Sequence, residues 1–371
     1  MHINGVLIFH PKFLSKFHRK QKILIPLKPN MWRFLKYTIT KRFSGCRLMS
    51  DVPKSQLRKM TALELQHLKR KGKRISMLTA YDYPSAMHAE RALFDVVLVG
   101  DSLGMVVLGY ETTQAVTMDE MLHHCKAVRR GAPTRFIVGD MPFGSYETSP
   151  EEALKNAYRF IKESGVDAVK LEGGKIRADT VRKIVNSGIA VMGHIGLTPQ
   201  GISVLGGFRA QGRTAIKARS IIDDALALQD AGAFALVIEC VPSIVAKAVT
   251  EAVKIPVIGI GAGPYTSGQV LVYHDLLGIM HHPHFMKHVP AFCKRYAKLG
   301  DDINNALVQY RDEVVAGTFP TEDFNPYKMS DEEKNKFKEL ISVDELERKK
   351  NAEILDTKLR QQDEYEVVKL Y

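Results

Sequence analysis

Cysteine is scarce and unpaired in this chain. There are four in 371 residues (Cys46, Cys125, Cys240, Cys293), none in C-x-x-C spacing. That argues against a disulfide framework or a thiolate zinc site and suits a reducing compartment. No apolar run approaches the roughly 20 residues needed to cross a bilayer, which argues against an integral membrane protein. Acidic residues are missing from one region only: residues 1–50 hold eleven Lys or Arg and no Asp or Glu, so they carry nearly all of the formal net charge of +12. The rest of the chain is close to neutral. A nucleic-acid-binding face is therefore not expected on the folded body, whatever the sequence pI of 9.3 suggests.

The basic leader, 1–50, combines Lys and Arg with Ser, Thr and bulky apolar residues. In "MWRFLKYTITKRFSGCRLMS" (31–50), Trp32, Leu35, Ile39 and Phe43 fall on one helical stripe, with Arg33 and Lys41 away from it. Acid-free amphipathic segments of this kind direct mitochondrial import. The alternative is a basic arm or upstream sequence, with a cytoplasmic product if translation starts at Met49. At the other end, 329–371 is a charged extension with sparse apolar residues, read as exposed amphipathic helix or solvated tail.

Between these lies a rhythm. "ISMLTAYD" (75–82), "DVVLVGD" (95–101), "RFIVGD" (135–140), "DAVKLEGG" (167–174), "AVMGHIG" (190–196), "ALVIEC" (235–240) and "PVIGIGAG" (256–263) are short apolar runs that each end in a polar residue or glycine. Capped amphipathic helices separate them. Thr117 and Glu120 stand in capping-box spacing, and Ser149, Pro150 and Glu152 open a second helix that stops at Gly165. Strand and helix alternating this often imply a parallel sheet with helical crossovers. Their number and length favour a (β/α)₈ TIM barrel over 51–328. The eighth strand is expected within "VLVYHDLLGI" (270–279), which follows the seventh too closely for a full helix.

Active sites of such barrels lie at the C-terminal strand ends. This chain places Asp101, Asp140, Lys170, Glu172, His194 and Glu239 there. Any one of them could simply cap the next helix. Six ionisable groups in one mouth, however, need a cation or a substrate to organise them. In "AVKLE" the alternation puts Lys170 and Glu172 on one face of a strand that should be apolar throughout. "VGDSLG" lacks the Lys-Ser/Thr of a phosphate-binding loop, and its glycines bracket an acid. Asp101, Asp140 and Glu172 together offer carboxylate oxygens to a hard cation, Mg²⁺ before Mn²⁺. "HHPHFMKH" (281–288) is rich in histidine but matches no common zinc spacing.

Nine strings in order carry a resemblance: "TAYDYPSA", "VGDSLGMVVLGYETT", "VTMDEMLHHCKAVRRGAP", "GDMPFGSY", "VKLEGG", "GHIGLTPQ", "GGFRAQGR", "ECVP" and "IPVIGIGAG". From about residue 55 to 328 the chain resembles the ketopantoate hydroxymethyltransferase family. That resemblance implies a barrel of the phosphoenolpyruvate/pyruvate superfamily type. It also implies Mg²⁺ held by Asp101 and Asp140 with Glu172 beside it, and a substrate carboxylate held by Ser102 and Lys170. Glu239 would be the base that removes the C3 proton of 3-methyl-2-oxobutanoate. The co-substrate would be 5,10-methylenetetrahydrofolate and the assembly a homo-oligomer. His194 is placed either to hydrogen-bond a reacting oxygen or to serve as a packed strand-end histidine. At Ser267 the chain departs from the acid common in that family.

Two other readings are less well supported. A 2-oxo-acid or isocitrate-type lyase of the same superfamily would carry a "KKCGH"-type loop, which is absent from the sequence. A barrel retained only as a scaffold would have little reason to keep every strand-end charge.

Overall fold

The computed structural model describes residues 58–280 and 290–341, together with residues 352 and 356. The basic leader, the four-histidine stretch and most of the charged tail lie outside the described residues. The described chain divides into two compact units, one running to Tyr273 and taking in Pro290–Cys293, the other formed from His274 onward.

The first unit is a closed barrel of eight parallel strands in sequence order. The strands are β1 (Ile75–Thr79), β2 (Val96–Val99), β3 (Phe136–Asp140), β4 (Ala168–Glu172), β5 (Ala190–Gly196), β6 (Ala235–Glu239), β7 (Val257–Ile260) and β8 (Gly268–Leu271). The first seven fall inside the seven runs picked out from the sequence. Their helices form where the caps predict. Thr117 makes a reciprocal capping box with Glu120 at the start of Met118–Gly131. Ser149 accepts the N–H of Glu152, but the return bond expected of Glu152 is not made, and its carboxylate lies 3.7 Å from Lys155 instead.

Closure differs from expectation. Residues 261–267 link β7 to β8 without a helix, β8 begins at Gly268, and Tyr273–Leu277 is helical. The run "VLVYHDLLGI" is apolar because it passes from strand into helix, which an apolar run alone does not reveal. A Cβ on Gly268 would meet the Ile75 carbonyl at 2.3 Å, so only glycine lets β8 approach β1 this closely. Ser267 Oγ accepts the N–H of Val257 at 3.2 Å, a structural use of the position where the resemblance implied an acid.

Inward-facing residues obey one parity. Phe136, Val138, Ala168, Met192, Ala235, Val237 and their neighbours form the barrel core. The helix Ala62–Arg70 closes its N-terminal end, burying Leu65 in that core. Lys69 on this helix donates to the carbonyls of Thr250, Val253 and Ile255 at 3.0, 2.7 and 2.7 Å, which pins it to the end of the helix Ser243–Ala252. In the second unit Tyr310 of the helix Leu299–Val315 packs on Phe319, and Phe319 on Phe324, with ring centroids 5.6 and 5.2 Å apart. Among the described residues no helix is long and apolar enough to cross a membrane.

Candidate active site

The same parity that fills the core delivers the site. In β3 the inward sequence is Phe136, Val138, Asp140; in β4, Ala168, Lys170, Glu172; in β5, Ala190, Met192, His194; in β6, Ala235, Val237, Glu239. Each strand turns from apolar to ionisable at its C-terminal end, and side chains two apart share a face. The register sets Asp140 beside Lys170 and Glu172 beside His194. Asp101 and Ser102 enter from the turn after β2. All seven residues singled out in the sequence therefore meet at one mouth.

Distances tie them into one network. Lys170 Nζ lies 2.8 Å from Asp140 Oδ1. The Asp101 main-chain N–H donates to Asp140 Oδ2 at 3.1 Å. His194 Nδ1 is 3.3 Å from both Glu172 Oε1 and Lys170 Nζ. On the other side of the ring, His194 Nε2 is 3.2 Å from Glu239 Oε2, close enough for charge attraction but misaligned for a hydrogen bond. Ser102 Oγ is 2.9 Å from the Tyr81 hydroxyl.

Backbone conformation serves the same end. Gly196 has φ +89° and its missing Cβ would meet the Glu239 carbonyl at 2.4 Å, so glycine lets the β5 turn press against the end of β6. Cys240, directly after Glu239, is held at φ 50°, an uncommon conformation for a residue with a side chain. Its carbonyl accepts the N–H of Gln211, anchoring the loop that follows β5.

Charge is unbalanced in this mouth. Asp101, Asp140, Lys170, Glu172 and His194 are each 5% exposed or less, and only Glu239, at 16%, keeps an edge toward solvent. Burial, then the neighbouring Asp140 and Glu172, push the Asp101 carboxyl up to about 8. Burial also raises Asp140, against the pull of Lys170. Burial opposes the Lys170 ammonium, yet Asp140, Glu172 and Asp101 together hold it charged. For His194, burial and Lys170 act downward, but Glu172 and Glu239 outweigh them and lift it to about 9. Four acids thus face two bases.

A hard divalent cation fits that deficit. The donors are carboxylate oxygens, the ligands a hard cation prefers. Among the described residues no three acid, histidine or cysteine side chains already stand together as a metal shell. Carboxylate oxygens suit a hard cation such as Mg²⁺, which keeps several waters and leaves room for substrate. Glu172, expected beside the metal, lies 3.3 Å from His194 Nδ1 through Oε1 and accepts the main-chain N–H of Gln200 at 3.0 Å through Oε2.

Two participants have no counterpart among the residues singled out from the sequence. Gln200, 3% exposed, donates from Nε2 to Asp101 Oδ2 at 2.8 Å and to the Met141 carbonyl at 3.0 Å. Tyr146, 2% exposed, bonds the Gln200 side-chain oxygen and accepts the Glu172 main-chain N–H at 3.2 Å. Both lie inside strings that carried the resemblance, "GHIGLTPQ" and "GDMPFGSY", but neither is ionised at neutral pH, so the search for charge passed over them.

A closed parallel barrel with ionisable groups converging on its C-terminal mouth defines the class: a (β/α)₈ enzyme. Comparisons with known proteins narrow it. The family model for ketopantoate hydroxymethyltransferase matches residues 59–322. A mitochondrial 3-methyl-2-oxobutanoate hydroxymethyltransferase 1 of Arabidopsis thaliana is 54% identical over 310 residues, 80% of this chain and 89% of that one. The enzyme of the same name from Heliobacterium modesticaldum is 53% identical over 277 residues, 75% of this chain and 98% of that one. The chain belongs to the ketopantoate hydroxymethyltransferase family, and it is a transferase. A solved 2,3-dimethylmalate lyase shares 15% identity and a TM-score of 0.45, covering 76% of this chain and 97% of that one; the closed barrel stands without it.

Removing the central cation of the network exposes the imbalance directly. Lys170→Met is expected to lose about 3–5 kcal/mol of stability at pH 8 in chelator, because Asp140 is left buried without its partner. Urea unfolding of both proteins measures this, and an unchanged midpoint would contradict the charge account.

Proposed function

We propose that the chain transfers a hydroxymethyl group from 5,10-methylenetetrahydrofolate to 3-methyl-2-oxobutanoate, giving ketopantoate. One observation carries this reading: Glu239 alone among the mouth's acids keeps a solvent-facing edge, opposite a buried set of carboxylates and one lysine. A single reachable base facing a cation-holding wall is what abstraction of a proton beside a ketone requires.

Asp101 and Asp140 would hold Mg²⁺ with Glu172 beside them, and the bound ion supplies a Lewis acid for the keto and carboxylate oxygens of the 2-oxo acid. Lys170 neutralises the substrate carboxylate, whose charge would otherwise oppose formation of an enolate. The Ser102 hydroxyl, set by Tyr81, donates to the same carboxylate. Glu239 takes the C3 proton. His194, anchored on Glu172 through Nδ1, sets its Nε2 beside Glu239. The enolate carbon then bonds to the folate's methylene carbon. One carbon–nitrogen bond to the folate breaks as that bond forms, its nitrogen taking the proton held by Glu239. Water replaces the other nitrogen, leaving its hydroxyl on the carbon and its second proton on that nitrogen, and tetrahydrofolate leaves.

One further part of this reading is supported from outside the barrel. The mitochondrial names of the Arabidopsis thaliana and Oryza sativa relatives, and the acid-free amphipathic stretch 31–50, support import into mitochondria. Residues 1–50 fused to a fluorescent reporter are expected to send it there. A reporter that stays cytosolic would contradict the assignment.

The chemistry is tested by proton NMR of 3-methyl-2-oxobutanoate in D₂O with Mg²⁺, before and after adding 5,10-methylenetetrahydrofolate. The C3 proton signal should exchange away first and ketopantoate appear second. Glu239→Gln should slow both by about 10²–10⁴-fold. Exchange without transfer would point to a different electrophile. Exchange at the wild-type rate in Glu239→Gln would remove Glu239 as the base.

A further inference from the structure

Gln200 sits in the short turn Pro199–Gly201 after β5 and bonds to four other segments of the barrel mouth. Its main-chain N–H donates to Glu172 Oε2 at 3.0 Å, and its carbonyl accepts from Gln114 Nε2 at 2.8 Å. Its side chain donates to Asp101 Oδ2 and the Met141 carbonyl and accepts from the Tyr146 hydroxyl. Every polar atom of this buried residue is used, and two of the bonds end on separate carboxylates of the site.

The direction of these bonds is fixed by main-chain groups. The Glu172 N–H can only donate, so the Tyr146 oxygen accepts from it and must give its own proton to Gln200 Oε1. The Met141 carbonyl can only accept, so it receives Gln200 Nε2. Both ends orient the amide the same way, independently of any carboxylate. The nitrogen that remains faces Asp101 Oδ2. Asp101 therefore always meets a donor there, and Glu172 always meets a second donor from the same residue.

We propose that Gln200 is a positioning residue, which through its amide and its main-chain N–H sets the rotamers of Asp101 and Glu172 and so presents the carboxylates to the divalent cation. Tyr146 orients that amide. The inference rests on the cation site argued above and adds the residue that holds it in shape. Groups that hydrogen-bond to metal ligands commonly govern affinity by about 10–100-fold when removed.

The test is Mg²⁺ binding to the full chain by isothermal titration calorimetry, with Mn²⁺ binding by electron paramagnetic resonance as the second readout and Tm in chelator as the check on folding. Gln200→Met keeps length and the main-chain N–H but loses all three side-chain bonds. It is expected to bind Mg²⁺ at least about tenfold more weakly with its Tm in chelator within a few degrees of the wild type. Tyr146→Phe, which frees the amide but keeps its nitrogen, should weaken binding less than Gln200→Met does. Gln114→Ala loosens the same turn without touching a carboxylate and should stay within about twofold. Affinity within about twofold of wild type in folded Gln200→Met would overturn the proposal. So would equal losses in Gln114→Ala and Gln200→Met, which would assign the effect to the turn. If Gln200→Met does not fold, Tyr146→Phe decides: unchanged affinity there overturns the proposal. Absence of Mg²⁺ and Mn²⁺ binding by the wild type would overturn the cation site itself, and this inference with it.

Discussion

Four carboxylates and two bases packed almost out of water at one end of a barrel form the constraint on which the rest of this structure depends. Buried charge is costly unless it is paired, and Asp101, Asp140, Glu172 and Glu239 outnumber Lys170 and His194. The barrel beneath is arranged to support that cost. Its inward parity is apolar from Leu65 at the closed end up through Val138, Met192 and Val237, and changes to ionisable at the last inward position of β3, β4, β5 and β6. Stability comes from the lower layers, which leaves the top layer available for chemistry.

That division explains what could be read from the sequence. Seven strands were legible because each is a short apolar run ended by a polar residue or glycine, and the helices between them have capping residues at the right spacing. Lys170 and Glu172 were legible as a site because two charges on one face of a doubly buried strand have no use in a core. Asp140, His194 and Glu239 followed from the same position in neighbouring strands.

What escaped has physical reasons as well. Gln200 reaches Asp101 across 99 residues, and Tyr146 reaches Gln200 across 54, so no local pattern announces either contact. Both are neutral, and the reasoning that finds unbalanced charge does not see the dipoles that arrange it. The eighth strand escaped because its apolar run spans a strand end and a helix start. Gly268, where it begins, matters for having no side chain at all.

The central claim is that the mouth is built around a positive charge that the protein itself does not supply. Calorimetric titration of 3-methyl-2-oxobutanoate into the full chain, once with Mg²⁺ and once in chelator, tests it most directly. Saturable binding with Mg²⁺ and none detectable without it is the expected result. Equal affinity in the two conditions would mean that Lys170 and His194 alone satisfy the site, and the account of its electrostatics would be wrong.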